Sequence, residues 1–498
     1  MVTLFWILCF VTMFTWRITP PYRQRHHQLR YAFFASLIFW LAGLARQWFE
    51  SPELFHPGKT ILLLLSLGLG SQLFYLWRNL RYSKWLVPAG MLFLAWVLQD
   101  RRLPQLDPNG ELLVLIRDDV DPNTLKKHLG INLGSITPAF TLTDRESPLA
   151  HYYKINLHYL PWQQTQTIQR RLEQILGVQW IDRNEYYAFF KPVPGHSEVH
   201  PLAQWSNDPL LAKQWHLDQQ QIGDLQASLK GAQPRKSARL FILDTGVDSK
   251  HEDLKPNYVS WHKEDEVDEQ GHGTHCAGIA SAVTNNRTGG ASMNPGPSFF
   301  TVTSIKVLNF FGGGTQQTII QGMIDAADQG ADVISMSLGG RSSDEKQRLY
   351  EEAVSYANKK GAIVVVAAGN DGGPATQVTP ANVPGVITVT AIQSDLTKPA
   401  FANTLEGIAF GLAAPGVDIL APIPKNKYAN YSGTSMATPQ VAGTIALMKS
   451  LEPKLTTKDA FELLQQTGLS VPQSTKNGTV IQPNKAIGTL VSAEALVQ

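Results

Sequence analysis

Cysteine is nearly absent from this sequence of 498 residues, which contains only Cys9 and Cys276. The first lies in an apolar N-terminal stretch and the second in a region typical of a soluble domain, so we expect no disulfide between them. A disulfide framework is therefore excluded. This disfavours a small eukaryotic secreted domain and fits a bacterial protein, which can be secreted without disulfides.

The chain also lacks a strong net charge. Its 43 Lys and Arg residues and 41 Asp and Glu residues give a formal charge of +2, which gives no indication of a nucleic-acid partner. The charge is unevenly placed, because residues 1–100 hold nine basic and three acidic side chains and the remainder holds 34 and 38. A basic, apolar first fifth predicts a membrane part joined to a soluble part, and the length predicts two or three domains.

Long uncharged apolar runs are confined to the first hundred residues. Four runs, each near the length of a membrane-spanning helix, occupy residues 1–16, 31–45, 60–77 and 85–99. The first and third intervening loops are basic and the second is acidic. Because positive loops stay in the cytoplasm, four crossings would place everything after about residue 100 in the periplasm or outside the cell.

Two alternatives remain open for this region. Residues 1–16 could be a cleaved signal peptide, although they lack a positive start and a clear small-residue cleavage site. If the segment 85–99, which contains Pro88, does not cross the membrane, the soluble part would be cytoplasmic.

Residues 105–200 predict a small α+β domain. Their order, β-α-β-β-α-β, is that of a ferredoxin-like split sandwich. The stretch 191–201 contains three prolines and predicts a linker. The strand patterns cover 111–120, 151–157 and 178–190, and the helical patterns cover 121–130 and 164–177.

Three motifs in the rest of the chain indicate nucleophilic catalysis. Asp244 ends an apolar strand and opens DTG, His272 opens an apolar helix in HGTHCAG, and Ser435 precedes a long apolar helix in GTSMATP. The N–H groups at a helix start favour negative charge on whatever the serine attacks. The chain order Asp, His, Ser is one of three known orders of the catalytic triad.

Two other chemistries use similar motifs. An aspartic protease also uses DTG, but it needs a second such motif or a symmetric partner chain, and no second DTG or DSG occurs. The pair His272 and His275 suggests zinc, but the glutamate of HExxH is missing. We therefore expect His275 to be a buried structural residue.

The motifs DTGVD, HGTHCAG and GTSMATP resemble those of the subtilisin family of serine proteases, and HGTHCAG with VTNN-TG resembles its thermitase-like branch. The resemblance covers about residues 205–470. It implies an α/β fold of three layers (αβα) with a mainly parallel sheet, and hydrolysis of protein or peptide substrates through a Ser435 acyl-enzyme. It also implies that Asp244 orients His272 and that Asn370, at the end of GAIVVVAAGN, belongs to the oxyanion hole.

The resemblance further implies two segments that flank an extended substrate and a wall of the first specificity pocket, with Val378 near the base of that pocket. Glycine in such segments lets another backbone approach closely. The residues concerned are Ser337, Leu338 and Gly339, then Gly312, Gly313 and Gly314, and for the wall Ala367, Ala368 and Gly369.

Structural calcium is the cofactor that the resemblance implies, bound by carboxylate and carbonyl oxygens. The segment 292–298, directly after the ligand loop, is longer than is usual in the family and puts the calcium geometry in doubt. The matching ligand positions are Asp208, Asp253, Val283, Asn286, Thr288 and Gly290.

Two positions deserve separate expectations. Cys276 is expected to be a buried thiol beside His272 and not a nucleophile. Gln440 stands where the family usually has histidine and lies past the nucleophile, so it is not expected to stop catalysis.

The predicted organisation is a membrane domain (1–100), a propeptide-like domain (105–200) and a catalytic domain (201–498). The resemblance implies that the propeptide binds its own catalytic domain and is cut off within 191–207, which would release the protease from its anchor in the bilayer. Two alternatives stay open: an inactive scaffold or sensor locked by the propeptide, and a peptide ligase that uses the same acyl-enzyme.

Overall fold

The computed structural model describes residues 110–125, 136–157, 162–194, 205–470 and 474–495. The four predicted membrane segments and half of the predicted helix 121–130 lie outside these ranges. No helix within them is long and apolar enough to cross a membrane. Apart from Gly110 and the start of one helix, the described residues belong to one compact unit, Glu111–Leu157 with Thr167–Gln498.

A four-stranded antiparallel sheet forms the first part of this unit, in the order β2-β3-β1-β4. Its central strand is buried along five of six residues. The predicted helix 164–177 is shorter in the structure and stops before Gly177, whose φ of +100° suits glycine. The elements are β1 (Glu111–Ile116), β2 (Ile136–Pro138), β3 (Tyr152–Asn156), α1 (Trp162–Leu172) and β4 (Val178–Arg183).

The predicted strand region 178–190 continues past β4 into a second strand, β5 (Tyr186–Phe189), and a short strand, β6 (Val193–Pro194), follows. Neither pairs with the first sheet. Both pair with strands that come later in the chain.

A seven-stranded parallel sheet dominates the rest of the unit, in the order β18-β15-β14-β12-β10-β7-β8. Parallel strands covered on both faces are continuously apolar, which explains runs such as FILD and IVVVA. The strands are β7 (Ala238–Asp244), β8 (Phe300–Lys306), β10 (Val333–Met336), β12 (Ile363–Ala367), β14 (Val386–Ile392), β15 (Gly411–Pro415) and β18 (Thr479–Val480).

Short strands β9 (Gly313–Thr315), β11 (Leu338–Arg341) and β13 (Val378–Thr379), and the hairpin β16 (Ile419–Ile423) with β17 (Lys427–Ser432), lie outside the main sheet. The helices are α2 (Trp215–Gln219), α3 (Ile222–Ser228), α4 (His272–Ser281), α5 (Gln316–Asp328), α6 (Asp344–Lys359), α7 (Thr434–Leu451), α8 (Thr457–Thr467), α9 (Ser474–Asn477) and α10 (Pro483–Ala495).

Alternate residues of the central strands enter two separate cores. Leu240 and Ile242 pack with α4 and α7, whereas Phe241 and Leu243 pack with α5 and α6. The molecule therefore has the predicted three layers, with the parallel sheet in the middle.

The second core does not end at the catalytic region. Phe140, Leu142 and Tyr152 from the first sheet and the segment beside it belong to the same apolar cluster as Ile320 and Ile324 of α5. The first sheet is thus packed onto the outer faces of α5 and α6, and both regions share one hydrophobic core.

Candidate active site

Three side chains meet at the carboxyl end of the parallel sheet. Asp244 is the last residue of β7, His272 is the first residue of α4, and Ser435 is the second residue of α7. The carboxyl ends of parallel strands are where sites in open α/β sheets form. All three side chains are buried, with at most 1% of their surface exposed.

Asp244 orients the His272 ring. The Nδ1 atom of His272 lies 2.8 Å and 3.0 Å from the two carboxylate oxygens. Burial opposes protonation of the ring, but the Asp244 carboxylate raises the pKa of His272 well above its ordinary value. Because Nδ1 donates to the carboxylate, Nε2 is left as the proton acceptor of the neutral ring. Nε2 has no hydrogen-bond partner among the described residues.

Ser435 does not hydrogen-bond to His272 in this structure. Its Oγ lies 3.4 Å from the carbonyl oxygens of Phe190 and Ser337. Cys276 lies beside both residues, with Sγ 3.9 Å from His272 Nδ1 and 3.5 Å from the Ser435 carbonyl. Hydrogen bonds of catalytic groups are often formed only in the reacting complex.

Asn370 offers an unused donor next to the serine. Its Oδ1 accepts hydrogen bonds from the N–H and the hydroxyl of Thr434, at 3.0 Å and 2.9 Å. This contact fixes the amide so that Nδ2 is the free end. Nδ2 is buried and has no partner among the described residues, so it can stabilise negative charge on an acyl oxygen.

The cleft in front of Ser435 is filled by the chain's own β5. This strand lies antiparallel between β9 and β11, with Leu338 opposite Phe189 and Gly313 opposite Ala188. The Phe189 N–H also donates to the Gly312 carbonyl at 3.0 Å. The segments predicted to flank a substrate thus lie on either side of β5 (Tyr186–Phe189) in this structure.

Phe189, the last residue of this strand, lies next to His272, and the residue after it, Phe190, lies next to Ser435. Phe189 stacks on the His272 ring at a centroid distance of 4.5 Å and an angle of 28°. Gly312, at φ +80°, makes room for it, since a Cβ there would lie 1.7 Å from the Phe189 ring. A Cβ on Gly339 would lie 2.6 Å from Phe190.

Phe190 lines a cavity of about 590 Å³, and Gly339, Asn370 and Val378 are among the other residues that line it. The predicted wall residues Ala367 and Ala368 are fully buried behind it and are not among its lining residues. Gly369 faces Asn403, which also lines the cavity.

Beyond Phe190 the chain pairs with a different element. Val193 lies opposite Ser432 and Pro194 opposite Tyr431, so β6 extends the hairpin of β16 and β17. A single continuous segment thus runs through the cleft on both sides of Ser435. The aromatic run YYAFF followed by a proline-rich stretch is the only trace of this segment in the sequence, where it predicts a strand and no partner for it.

A profile of the subtilase family (peptidase S8) matches residues 236–488 of this chain. Similar proteins include thermitase of Thermoactinomyces vulgaris, which is 43% identical over 221 residues, or 43% of this chain and 75% of that protein. The chain belongs to the subtilase family. It is a serine endopeptidase.

Other relatives agree with this assignment. Subtilisin DY of Bacillus licheniformis is 37% identical over 245 residues, which cover 48% of this chain and 86% of that protein. The thermophilic serine proteinase of Bacillus sp. (strain AK1) is 42% identical over 216 residues, which cover 42% of this chain and 52% of that protein.

The six predicted calcium ligands of this subtilase lie together. Asp253 accepts hydrogen bonds from the Asn286 amide at 2.8 Å and the Gly290 N–H at 3.1 Å, and its carbonyl accepts from the Val283 N–H at 2.8 Å. The Thr288 N–H donates to the Asn286 side chain at 2.7 Å. The remaining predicted ligand, Asp208, accepts from the same loop.

Asp253 and Asp208 form a buried pair of carboxylates, 0% and 4% exposed. Burial first, and then the charge of Asp208, raise the pKa of Asp253 to about 7. A hard cation with oxygen ligands would relieve this repulsion, so the residues fit calcium. The long segment 292–298 does not intrude, since Asn294 ties it to Ser281 at 2.8 Å.

Three further side chains have structural roles. His275 contacts the Ala429 carbonyl through Nε2 at 3.0 Å and stacks on a tyrosine, and burial lowers its pKa to about 3. Gln440 donates to the Pro415 carbonyl at 2.5 Å inside the core. Burial raises the pKa of the Cys276 thiol, so the buried sulfur stays protonated.

Proposed function

We propose that this subtilase is a membrane-anchored precursor that cuts its own chain between Phe190 and Lys191, with Asp244, His272 and Ser435 as the triad. The observation that carries the proposal is the 3.4 Å separation of Ser435 Oγ and the Phe190 carbonyl oxygen, with a paired strand on each side. Cleavage there makes Lys191, the first residue of the predicted interval 191–207, the new N-terminus.

The chemistry follows from the geometry. Ser435 Oγ leaves the Ser337 carbonyl, gives its proton to His272 Nε2 and attacks the Phe190 carbonyl carbon. Asn370 Nδ2 and the Ser435 N–H stabilise the oxygen that becomes negative. His272 then protonates the leaving amine of Lys191, and water resolves the ester.

The same cleft would act on other proteins once residues 105–190 are gone. Substrates would pair with β9 and β11 as β5 does, which makes recognition depend mainly on the backbone. Tyr187, Phe189 and Phe190 indicate that aromatic side chains are accepted.

Calcium is proposed as a structural cofactor held by Asp208, Asp253, Asn286 and the carbonyls of the same loop. It supplies charge compensation for the two carboxylates and so stabilises the fold.

The test expresses wild type and Ser435→Ala in bacterial membranes and maps the N-termini of the products. A fragment that begins at Lys191 should form from wild type and not from Ser435→Ala. Ser450→Ala, the same change near the other end of α7, should still be cut. Absence of cleavage in all three, with no fluorophosphonate labelling of Ser435 after the pro-domain is digested, would refute the proposal and favour a locked scaffold.

The membrane anchor is tested separately. We propose that residues 1–100 cross the membrane four times and place the catalytic domain outside the cytoplasm, on the basis of the charges of the three loops. The precursor should stay in carbonate-washed membranes, and protease added outside spheroplasts should digest the catalytic domain. Extraction by carbonate, or protection of that domain, would contradict this topology.

A further inference from the structure

The two ends that cleavage would create are held by separate sets of contacts. The Phe190 end directly follows β5, which lies between β9 and β11. The Lys191 end leads into β6, which pairs with β17. Cleavage of the bond between them breaks neither pairing.

The Phe190 end is held by the packing of the whole first domain. Phe140 and Leu142 lie in the common core with α5 and α6. Thr141 and the Gln321 side chain exchange two hydrogen bonds, of 2.9 Å and 2.8 Å. Glu185, just before β5, forms an ion pair of 2.6 Å with Lys346. These contacts are independent of the bond to Lys191.

The Lys191 end cannot diffuse away either, because residues 195–204 join β6 covalently to the catalytic domain. Tethering of this kind keeps a group at an effective concentration of about millimolar or more. Pairing of Val193 with Ser432 directs the tethered end back toward Ser435.

Water has poorer access to the ester than this amine does. Ser435 is 0% exposed and His272 is 1% exposed while β5 fills the cleft. Water must reach the ester from the cavity that Phe190 and Lys191 line, whereas the Lys191 amine forms at the ester itself. Well-oriented neighbouring groups react with effective molarities far above those of groups in solution.

We propose that the cut at Phe190–Lys191 is reversible, so that this enzyme acts as a peptide ligase on its own junction. The proposal rests on the proposed cleavage. In the forward step the Phe190–Lys191 C–N bond breaks and the Ser435 Oγ–C bond forms, with the hydroxyl proton passing through His272 to the amine. Water then splits the ester into the Phe190 carboxyl group and the Ser435 hydroxyl. In the reverse direction these two groups condense to the ester with release of one water, the neutral Lys191 amine attacks the ester carbon, the Oγ–C bond breaks, and the proton returns to Oγ.

No external energy source is needed. Hydrolysis of a free peptide is driven largely by the separation of its products, and here the products stay in place, so that gain of translational freedom is missing. The intact and clipped forms should therefore coexist, and the intact form should be regenerated from purified clipped complex.

The test incubates the full chain in membranes in H₂¹⁸O and follows the peptide that spans Phe190–Lys191 by mass spectrometry. Hydrolysis places ¹⁸O in the Phe190 carboxylate, and religation carries it into the carbonyl of the intact bond. We expect a stable ratio of intact to clipped chain, approached from both sides, with ¹⁸O in the intact peptide.

Two variants assign the effect to β6. Val193→Pro removes the only N–H that β6 can donate, and should shift the ratio several-fold toward the clipped form. Val199→Pro, the same change beyond β6, should not. An unchanged ratio in Val193→Pro would overturn the role of this strand.

Steady conversion toward the clipped form, with only ¹⁶O in the intact peptide at every time point, would overturn the ligase proposal while leaving the cleavage proposal standing. Absence of any chain beginning at Lys191 would overturn both.

Discussion

A single methyl group on Gly339 tests whether Phe190 reports the preference of the first specificity pocket. The Cβ of Gly339→Ala would lie 2.6 Å from the Phe190 ring, 2.9 Å from Val378 Cγ1 and 3.2 Å from the Thr379 carbonyl. All three distances are shorter than normal contacts, so an aromatic side chain must withdraw from the pocket. An alanine side chain has no ring to displace.

The size of the effect follows from the burial that is lost. Burying a phenylalanine side chain contributes about 1.5 to 3 kcal/mol, and each 1.4 kcal/mol is a factor of ten. With enzyme freed of residues 105–190, kcat/KM for a peptide with Phe at the cleaved position should fall roughly 10- to 150-fold. The matched peptide with Ala there should change little.

Gly340→Ala provides the control, because its Cβ would meet Tyr187 at 3.0 Å and not Phe190. It should alter the preference three residues upstream and leave the Phe-to-Ala ratio at the cleaved position unchanged. Equal losses on both peptides in Gly339→Ala would refute the assignment of this pocket.

Asn370→Leu should lower kcat on peptides by about two to three orders of magnitude with KM nearly unchanged, because one oxyanion donor is lost; a change confined to KM would contradict this. At a calcium concentration a hundredfold above its Kd, bound calcium should raise the free energy of unfolding by about 3 kcal/mol, and EDTA should remove this gain. In Asp253→Asn the Tm should be the same with and without EDTA. A wild-type Tm that EDTA does not change would argue against the site. Burial lowers the pKa of His216 from 6.5 to about 3, so the contribution of His216 to stability falls as pH drops below 6.5, by about 2.7 kcal/mol at pH 4.5. In urea unfolding at pH 7 and 4.5, the loss of unfolding free energy on acidification should be smaller in His216→Phe than in wild type and unchanged in the exposed control His262→Gln. A loss in His216→Phe as large as that of wild type would count against burial of His216 as the cause. Bulky mercurials should inhibit wild type through Cys276 and spare Cys276→Ala, and equal inhibition of both would show another target.

The three triad residues could be predicted from the sequence because each one sits at a junction between a strand or a turn and a helix. Asp244 directly follows a run of apolar residues that predicts a buried strand. Ser435 follows a turn of small residues and precedes an apolar run that predicts a helix. Those are local patterns, and the structure brings them together at one edge of the sheet.

The partners of β5 and β6 could not be predicted from the sequence, because they depend on pairing between distant parts of the chain. The alternation in 186–189 predicts a strand, but it cannot specify β9 and β11 as the neighbours, since strand pairing depends on the tertiary fold. The position of Phe190 at Ser435 and the contact of β6 with β17 followed only from the assembled cleft. The shorter α1 also escaped prediction, because helix ends depend on local caps and packing.

The common core of the first sheet with α5 and α6 has a consequence for how such enzymes diversify. Phe140 and Leu142 share one set of packing constraints with Ile320 and Ile324, so a change of size on either side needs a compensating change on the other. The two regions should drift together between species, and a chimera that combines this first domain with the catalytic half of a distant relative should fold poorly even where both parents fold well.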